Sequence, residues 1–110
     1  MAEIRKLPES EELVMMVVWD ATEAPDLEET MTKVNERYGK SWKPQTVSTF
    51  LGRLRKKGFL SAYKKGRYTY YVPEVPKQEY RKMVARKLVS GIYAGDSEEL
   101  IEDLTQIMAE

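Results

Sequence analysis

The sequence predicts a mainly α fold with one small antiparallel β-hairpin. Three observations predict it. Apolar residues recur at helical spacing through most of the chain. The period changes from 3.6 to 2 only over residues 59–72, where tyrosines crowd around "KKGR". Gly, Pro and Asp separate the periodic segments. At 110 residues, 42% apolar and 33% charged, the chain is expected to form one small domain or a domain with an appendage.

The elements follow in order. Glu9 to Ala21 reads as a helix with acids in its first turn, which suits the helix dipole. Met15, Val18 and Trp19, with Val14, make its core face. Leu13 and Met16 lie off that face, so this helix is expected to be covered on more than one side. Asp26 caps a second helix, with Glu29 three residues on. Its stripe is Leu27, Met31, Val34 and Tyr38, and Gly39 stops it. A third helix starts near Lys43, with Pro44 in its first turn, and ends at Gly58 after a cationic last turn. Val47, Phe50, Leu51 and Leu54 form its apolar face. Strands are expected over Phe59–Tyr63 and Arg67–Val72, joined by "KKGR" with Gly66 free to take positive φ. "PEVP" then connects to a helix from Lys77, with Tyr80, Val84 and Leu88 in one row and Ala85, Val89, Ile92 and Tyr93 widening it. Gly95 stops it. Asp96 and Glu99 open a last helix, striped by Leu100, Leu104, Ile107 and Met108. Three helices and a hairpin make the winged helix-turn-helix layout. The expected division is residues 1–74 as that module and residues 75–110 as a helical dimerisation region.

Composition removes several function classes. There is no Cys and no His, so disulfides, thiolate metal sites and most nucleophilic constellations are unavailable. No glycine loop of phosphate-binding type is present. An enzyme is not expected, nor a cofactor or metal. The longest apolar run, Leu13 to Trp19, is seven residues, far below the roughly 18 of a membrane span. No signal peptide is visible, and the chain is read as cytoplasmic.

The formal net charge of zero conceals three blocks. Residues 1–39 carry four Lys/Arg against ten Asp/Glu. Residues 40–87 carry fourteen against two. Residues 88–110 carry six acids and no Lys/Arg. A basic block in a neutral chain points to a polyanionic partner.

The third helix sharpens that expectation. Its non-core side carries Gln45, Thr46, Ser48, Thr49 and Arg53, preceded by Lys43. A solvated helix face usually carries long Glu and Lys; three of these residues, and Gly52 among them, are poor or middling helix formers. Short polar side chains near the start of a recognition helix are what reaches base edges and phosphates in the major groove. Gly52 is disfavoured in a helix interior by about 1 kcal/mol relative to Ala. Close approach of a phosphate or tight packing on another helix would each account for it. Lys64, Lys65 and Arg67 at the hairpin are candidates for phosphate contact. Tyr63, Tyr68, Tyr70 and Tyr71 are expected to serve core and cross-strand packing.

The last two helices cannot bury their apolar faces alone. They fold back or pair with a second copy, and pairing is preferred because two-fold symmetric DNA sites demand dimers. Tyr80, Val84, Leu88, Ile92, Leu100, Leu104 and Ile107 are the candidate dimerisation residues. The expected function is a sequence-specific double-stranded DNA-binding repressor, acting as a homodimer on a dyad-symmetric operator. The alternative is a winged-helix protein-interaction module whose basic block is incidental.

"VMMVVW" (14–19), "WKPQTVSTFLGRLRKKGFL" (42–60) and "GRYTYYVP" (66–73) together resemble the penicillinase repressor family (BlaI/MecI, with the copper-responsive CopY branch). The resemblance covers roughly residues 9–104. It implies a winged-helix repressor whose C-terminal helices intertwine in a dimer. It also implies DNA contacts from Gln45, Thr46, Ser48, Thr49 and Arg53, and backbone contacts from Lys65 and Arg67. Members of the β-lactam branch are controlled by a membrane receptor protease, so a regulatory protease is a possible partner. Ser48 stands where some members have Arg. Asp103-Leu104 stands where that branch has an Asn-Phe cleavage dipeptide, and the copper branch's metal site needs cysteines that this chain lacks.

Overall fold

The computed structural model describes residues 4–110, in the order α1 (Glu9–Asp20), α2 (Leu27–Tyr38), α3 (Pro44–Lys56), β1 (Leu60–Lys65), β2 (Tyr68–Pro73), α4 (Lys77–Ser90) and α5 (Ser97–Met108). The fold is the expected five helices with one antiparallel hairpin. It forms two compact units. One is Leu7–Lys77; the other is Gln78–Glu110 together with residues 4–6.

In the first unit, α1, α2 and α3 pack around a core of Val14, Met15, Val18, Val34, Val47, Leu51 and Leu54, each at most 2% exposed. The caps follow the sequence. The Asp26 carboxylate accepts from the Glu29 N–H at 2.8 Å, and Gly39 takes the left-handed conformation that ends α2. Thr30 is fully buried on α2, off the expected stripe. Its hydroxyl donates to the Asp26 carbonyl at 2.7 Å, so the buried polar group is satisfied. Leu13 and Met16 are half-buried.

Three backbone bonds fix the hairpin: one to α3, one across its own base and one to the loop before α2. Phe59 N–H donates to Leu54 O at 2.9 Å, Glu74 N–H to Phe59 O at 2.8 Å, and Tyr71 N–H to Pro25 O at 2.9 Å. The last bond satisfies the edge of β2 that does not face β1. Phe59, Leu60 and Tyr71 insert from the hairpin into the core. Past β2, the Trp19 indole N–H donates to Val75 O at 2.8 Å. Lys77 Nζ lies 3.1 Å from the Asp20 carboxylate, which also binds Arg37 at 2.6 Å. Residues 75–77 are therefore held by α1.

Two expected boundaries change. The strands run to Lys65 and start again at Tyr68, so the loop is only Gly66-Arg67, not all of "KKGR". Gly66 has φ 66° and Arg67 does not share the positive φ, the sign pattern of a type II′ turn with Gly at its first position. That tight turn lets Lys64 and Lys65 pair with Thr69 and Tyr68. In the second unit α4 ends at Ser90, so Ile92 and Tyr93 lie beyond it. Over residues 91–95 the bonds depart from the regular four-residue α-helical step, and two of them span more. Tyr93 N–H reaches Leu88 O at 3.4 Å and Gly95 N–H reaches Val89 O at 2.7 Å. The Tyr93 hydroxyl then donates to Asp103 at 2.8 Å, tying this turn to α5.

Candidate nucleic-acid interface

Helix α3 is two-faced. Val47, Leu51 and Leu54 are buried, and Phe50 is half-buried. On the opposite side Gln45, Ser48, Thr49, Gly52 and Arg53 are exposed, and Thr46 is half-buried. The structure thus brings the candidate residues of this helix to its outward side. Gln45, Thr49, Gly52 and Lys56 follow one another at i, i+4, i+7 and i+11, which places them in one row opposite the core. Lys43 is the N-cap, extended at φ −90°, ψ 161° and exposed; its backbone precedes the first turn.

The entry to α3 is fixed by residues that sequence reasoning missed. Asn35 on α2 donates from Nδ2 to Trp42 O at 3.1 Å and accepts from Trp42 N–H at 2.9 Å. The Trp42 ring packs on Phe50, centroids 5.1 Å apart and tilted by 55°. A side-chain amide thus bonds both backbone groups of Trp42 and sets the turn that leads into α3. The only sequence signal was an Asn seven residues before a Trp, too generic to single out.

The cations are not equivalent. Lys57 of the basic run donates to Glu11 at 2.6 Å, and that carboxylate is 3% exposed. Arg53 lies over the Phe50 ring, 6.0 Å from its centroid, a contact of cation–π type. No acid occurs in residues 40–73, so the charges that α3 and the hairpin themselves carry are all positive. An open cleft of about 770 Å³ runs between α3 and β1, lined by Thr49, Gly52, Arg53, Arg55, Lys56 and Ser61 among others.

On the hairpin, Lys64, Lys65 and Arg67 are all exposed. The two lysines are neighbours on a strand and point to opposite faces. Lys65 shares the outer face with Tyr63, Tyr68 and Tyr70; Lys64 is on the face of Ala62 and Tyr71. Tyr63 and Tyr70 stack across the strands at 5.5 Å. The expected core and cross-strand packing is seen in Tyr71, 9% exposed, and in the Tyr63–Tyr70 stack, while Tyr63 and Tyr68 remain 49% and 45% exposed. Tyr71 lies on the face of Leu60, which is also buried. The Arg67 guanidinium sits over the Tyr68 ring, 5.4 Å from its centroid.

In the second unit Tyr80 is buried and Val84 and Leu100 are half-buried. Leu88, Ile92, Leu104 and Ile107 are exposed, Ile92 at 84%. No described helix is long and apolar enough to cross a membrane.

Known proteins share this architecture. The penicillinase repressor of Bacillus licheniformis is 28% identical over 95 residues, which are 86% of this chain and 72% of the relative. The methicillin resistance regulatory protein MecI of Staphylococcus aureus is 29% identical over 73 residues; the match spans only 59% of its length. The solution structure of B. licheniformis BlaI in monomeric form with the blaP half-operator superposes with a TM-score of 0.58 at 31% identity, covering 73% of this chain and 94% of that one. The DNA-binding domain of the repressor BlaI gives a TM-score of 0.60 over the same shares. The family model described as penicillinase repressor matches residues 7–108, and the chain belongs to that family.

Proposed function

We propose that this protein is a transcriptional repressor that binds double-stranded DNA in a sequence-specific manner, as a homodimer on a dyad-symmetric operator in the cytoplasm. The observation that carries the reading is the outward side of α3, where short polar residues and Arg53 stand opposite a buried anchor in a stretch without acids. Gln45 can pair with adenine, and Ser48 and Thr49 can meet base edges. Lys65 and Arg67 on the hairpin reach flanking phosphates. The similar BlaI monomer was solved in complex with the blaP half-operator, which supports a DNA-binding reading of this chain. The homodimer is supported by the apolar side chains that the second unit leaves exposed, Leu88, Ile92, Ile101, Leu104, Ile107 and Met108. Such a set on a 33-residue segment is the mark of a surface that meets another.

The test is duplex binding as a function of salt. About four phosphate contacts per subunit give a log–log slope of roughly −7 for the dimer. A flat salt response overturns the reading. Sedimentation as a monomer at micromolar concentration overturns the dimer. Arg53→Ala is expected to weaken binding by about 1–3 kcal/mol.

A further inference from the structure

Gly52 sits in the middle of α3, in the outward row with Gln45, Thr49 and Lys56. A Cβ added there would meet nothing within 4 Å. Packing inside the protein therefore does not require glycine at this position, and its helical φ does not require it either. Of the two reasons a helix interior would hold glycine, internal crowding is removed. What remains is a requirement imposed from outside. Gly52 also lines the open cleft between α3 and β1, together with Arg53, Arg55 and Lys56. Three guanidinium or ammonium groups around a bare patch of helix backbone match a sugar–phosphate strand: anionic, ridged, and needing to come close before its phosphates reach all three.

The geometry points to a DNA backbone segment lying across Gly52 in this cleft, gripped by Arg53, Arg55 and Lys56, with the missing side chain setting how deep the helix sits in its groove. This rests on the DNA-binding reading above and adds to it. Arg55 and Lys56 become contact residues, where the sequence assigned them only to the helix dipole. Ser61 on β1, half-buried on the opposite wall, offers a hydroxyl to the same strand. Depth in the groove then limits which bases Gln45 and Thr49 reach, so Gly52 acts on specificity without touching a base.

The experiment uses the full chain and a duplex enriched from a random pool by the wild-type protein. Gly52→Ala and Gly52→Leu are compared with wild type in melting temperature, duplex affinity and salt slope. Both replacements favour a helix interior, and the Cβ of each enters open space, so melting temperatures should rise or stay level. Affinity should fall in steps, roughly tenfold for Ala and roughly a hundredfold for Leu, the order expected for overfilling a close contact. The salt slope should flatten by about 1–2 for Leu as the cations lose their phosphates. If wild type binds and both variants bind as well as it does, the inference is wrong and the DNA reading stands. If wild type enriches no duplex, the DNA reading fails and takes the inference with it. Lower melting temperatures would show that the space is not open, and would overturn the inference too.

Discussion

Asn35 and Trp42 hold each other by two hydrogen bonds across the turn between α2 and α3. The amide nitrogen donates to Trp42 O at 3.1 Å, and the amide oxygen accepts from Trp42 N–H at 2.9 Å. Through the Trp42–Phe50 ring contact at 5.1 Å this pair reaches the helix proposed to read DNA.

Asn35→Ala leaves a part-buried N–H and C=O without their protein partners. Stability should fall by about 1–2 kcal/mol, read by urea denaturation with the slope m unchanged. Asn35→Asp should not rescue it, because a carboxylate oxygen would then face the Trp42 carbonyl. Duplex affinity should fall with stability still sufficient to fold. Full affinity in Asn35→Ala would show that the turn does not position α3.

The Glu11–Lys57 pair is lopsided, and its two halves should respond differently. The Glu11 carboxylate is 3% exposed, whereas the Lys57 side chain is 42% exposed. Lys57→Met leaves a buried carboxylate without its ammonium, at an expected loss of about 2–4 kcal/mol. Glu11→Gln leaves an ammonium that water can solvate, at about 1 kcal/mol. Equal losses in thermal or urea unfolding would refute this ordering. Neither change should alter the salt slope of duplex binding, since Lys57 is occupied at the α1–α3 junction.

Asp20 links α1, α2 and the start of α4. Hydrogen bonds from Arg37 and Lys77 hold its carboxyl below the ordinary 3.8. A folded-state value below the unfolded one contributes stability that is fully present above about pH 4 and is lost as pH falls through the folded value. Asp20→Asn should therefore melt lower than wild type at pH 7. The gap should narrow below pH 3.8 and close at the acid end. The effect is small, since the site is open to solvent. A gap that persists unchanged to pH 2 would assign the loss to something other than this charge.

Much of this was legible in the sequence because local rules and tertiary needs agree. Asp26 and Asp96 cap where spacing placed them, and Val47, Leu51 and Leu54 are buried where the period put them. The errors have physical causes. A two-residue loop closes on Gly66 alone, so Lys64 and Lys65 join a strand whose alternation sends them to opposite faces. The chain leaves α4 after Ser90 and turns through left-handed Ala94 and Gly95, and the apolar period could not report that Ile92 had left α4. Alternation alone could not say that Tyr63 and Tyr68 stay about half exposed. Glu11 and Asn35 were invisible for another reason. Their partners lie 46 and 7 residues away and outside the same helix, so no period within one element links them.

Thr49 offers the most specific test of how α3 reads DNA. Its hydroxyl donates to Gln45 O at 3.0 Å, four residues back along the helix. A threonine hydroxyl has one proton to give, and phosphate oxygens only accept. While that bond holds, Thr49 can accept from an adenine or cytosine amino group, or lay its methyl on a thymine methyl. It cannot donate to phosphate. Thr49→Val keeps the methyl and removes the acceptor; Thr49→Ser does the reverse. Measured on a panel of enriched duplexes, at least one variant should lose about 1–3 kcal/mol on some sequences and little on others, with the salt slope unchanged. A uniform loss across all sequences, with the slope lower by about 1, would place Thr49 on the backbone and break this argument.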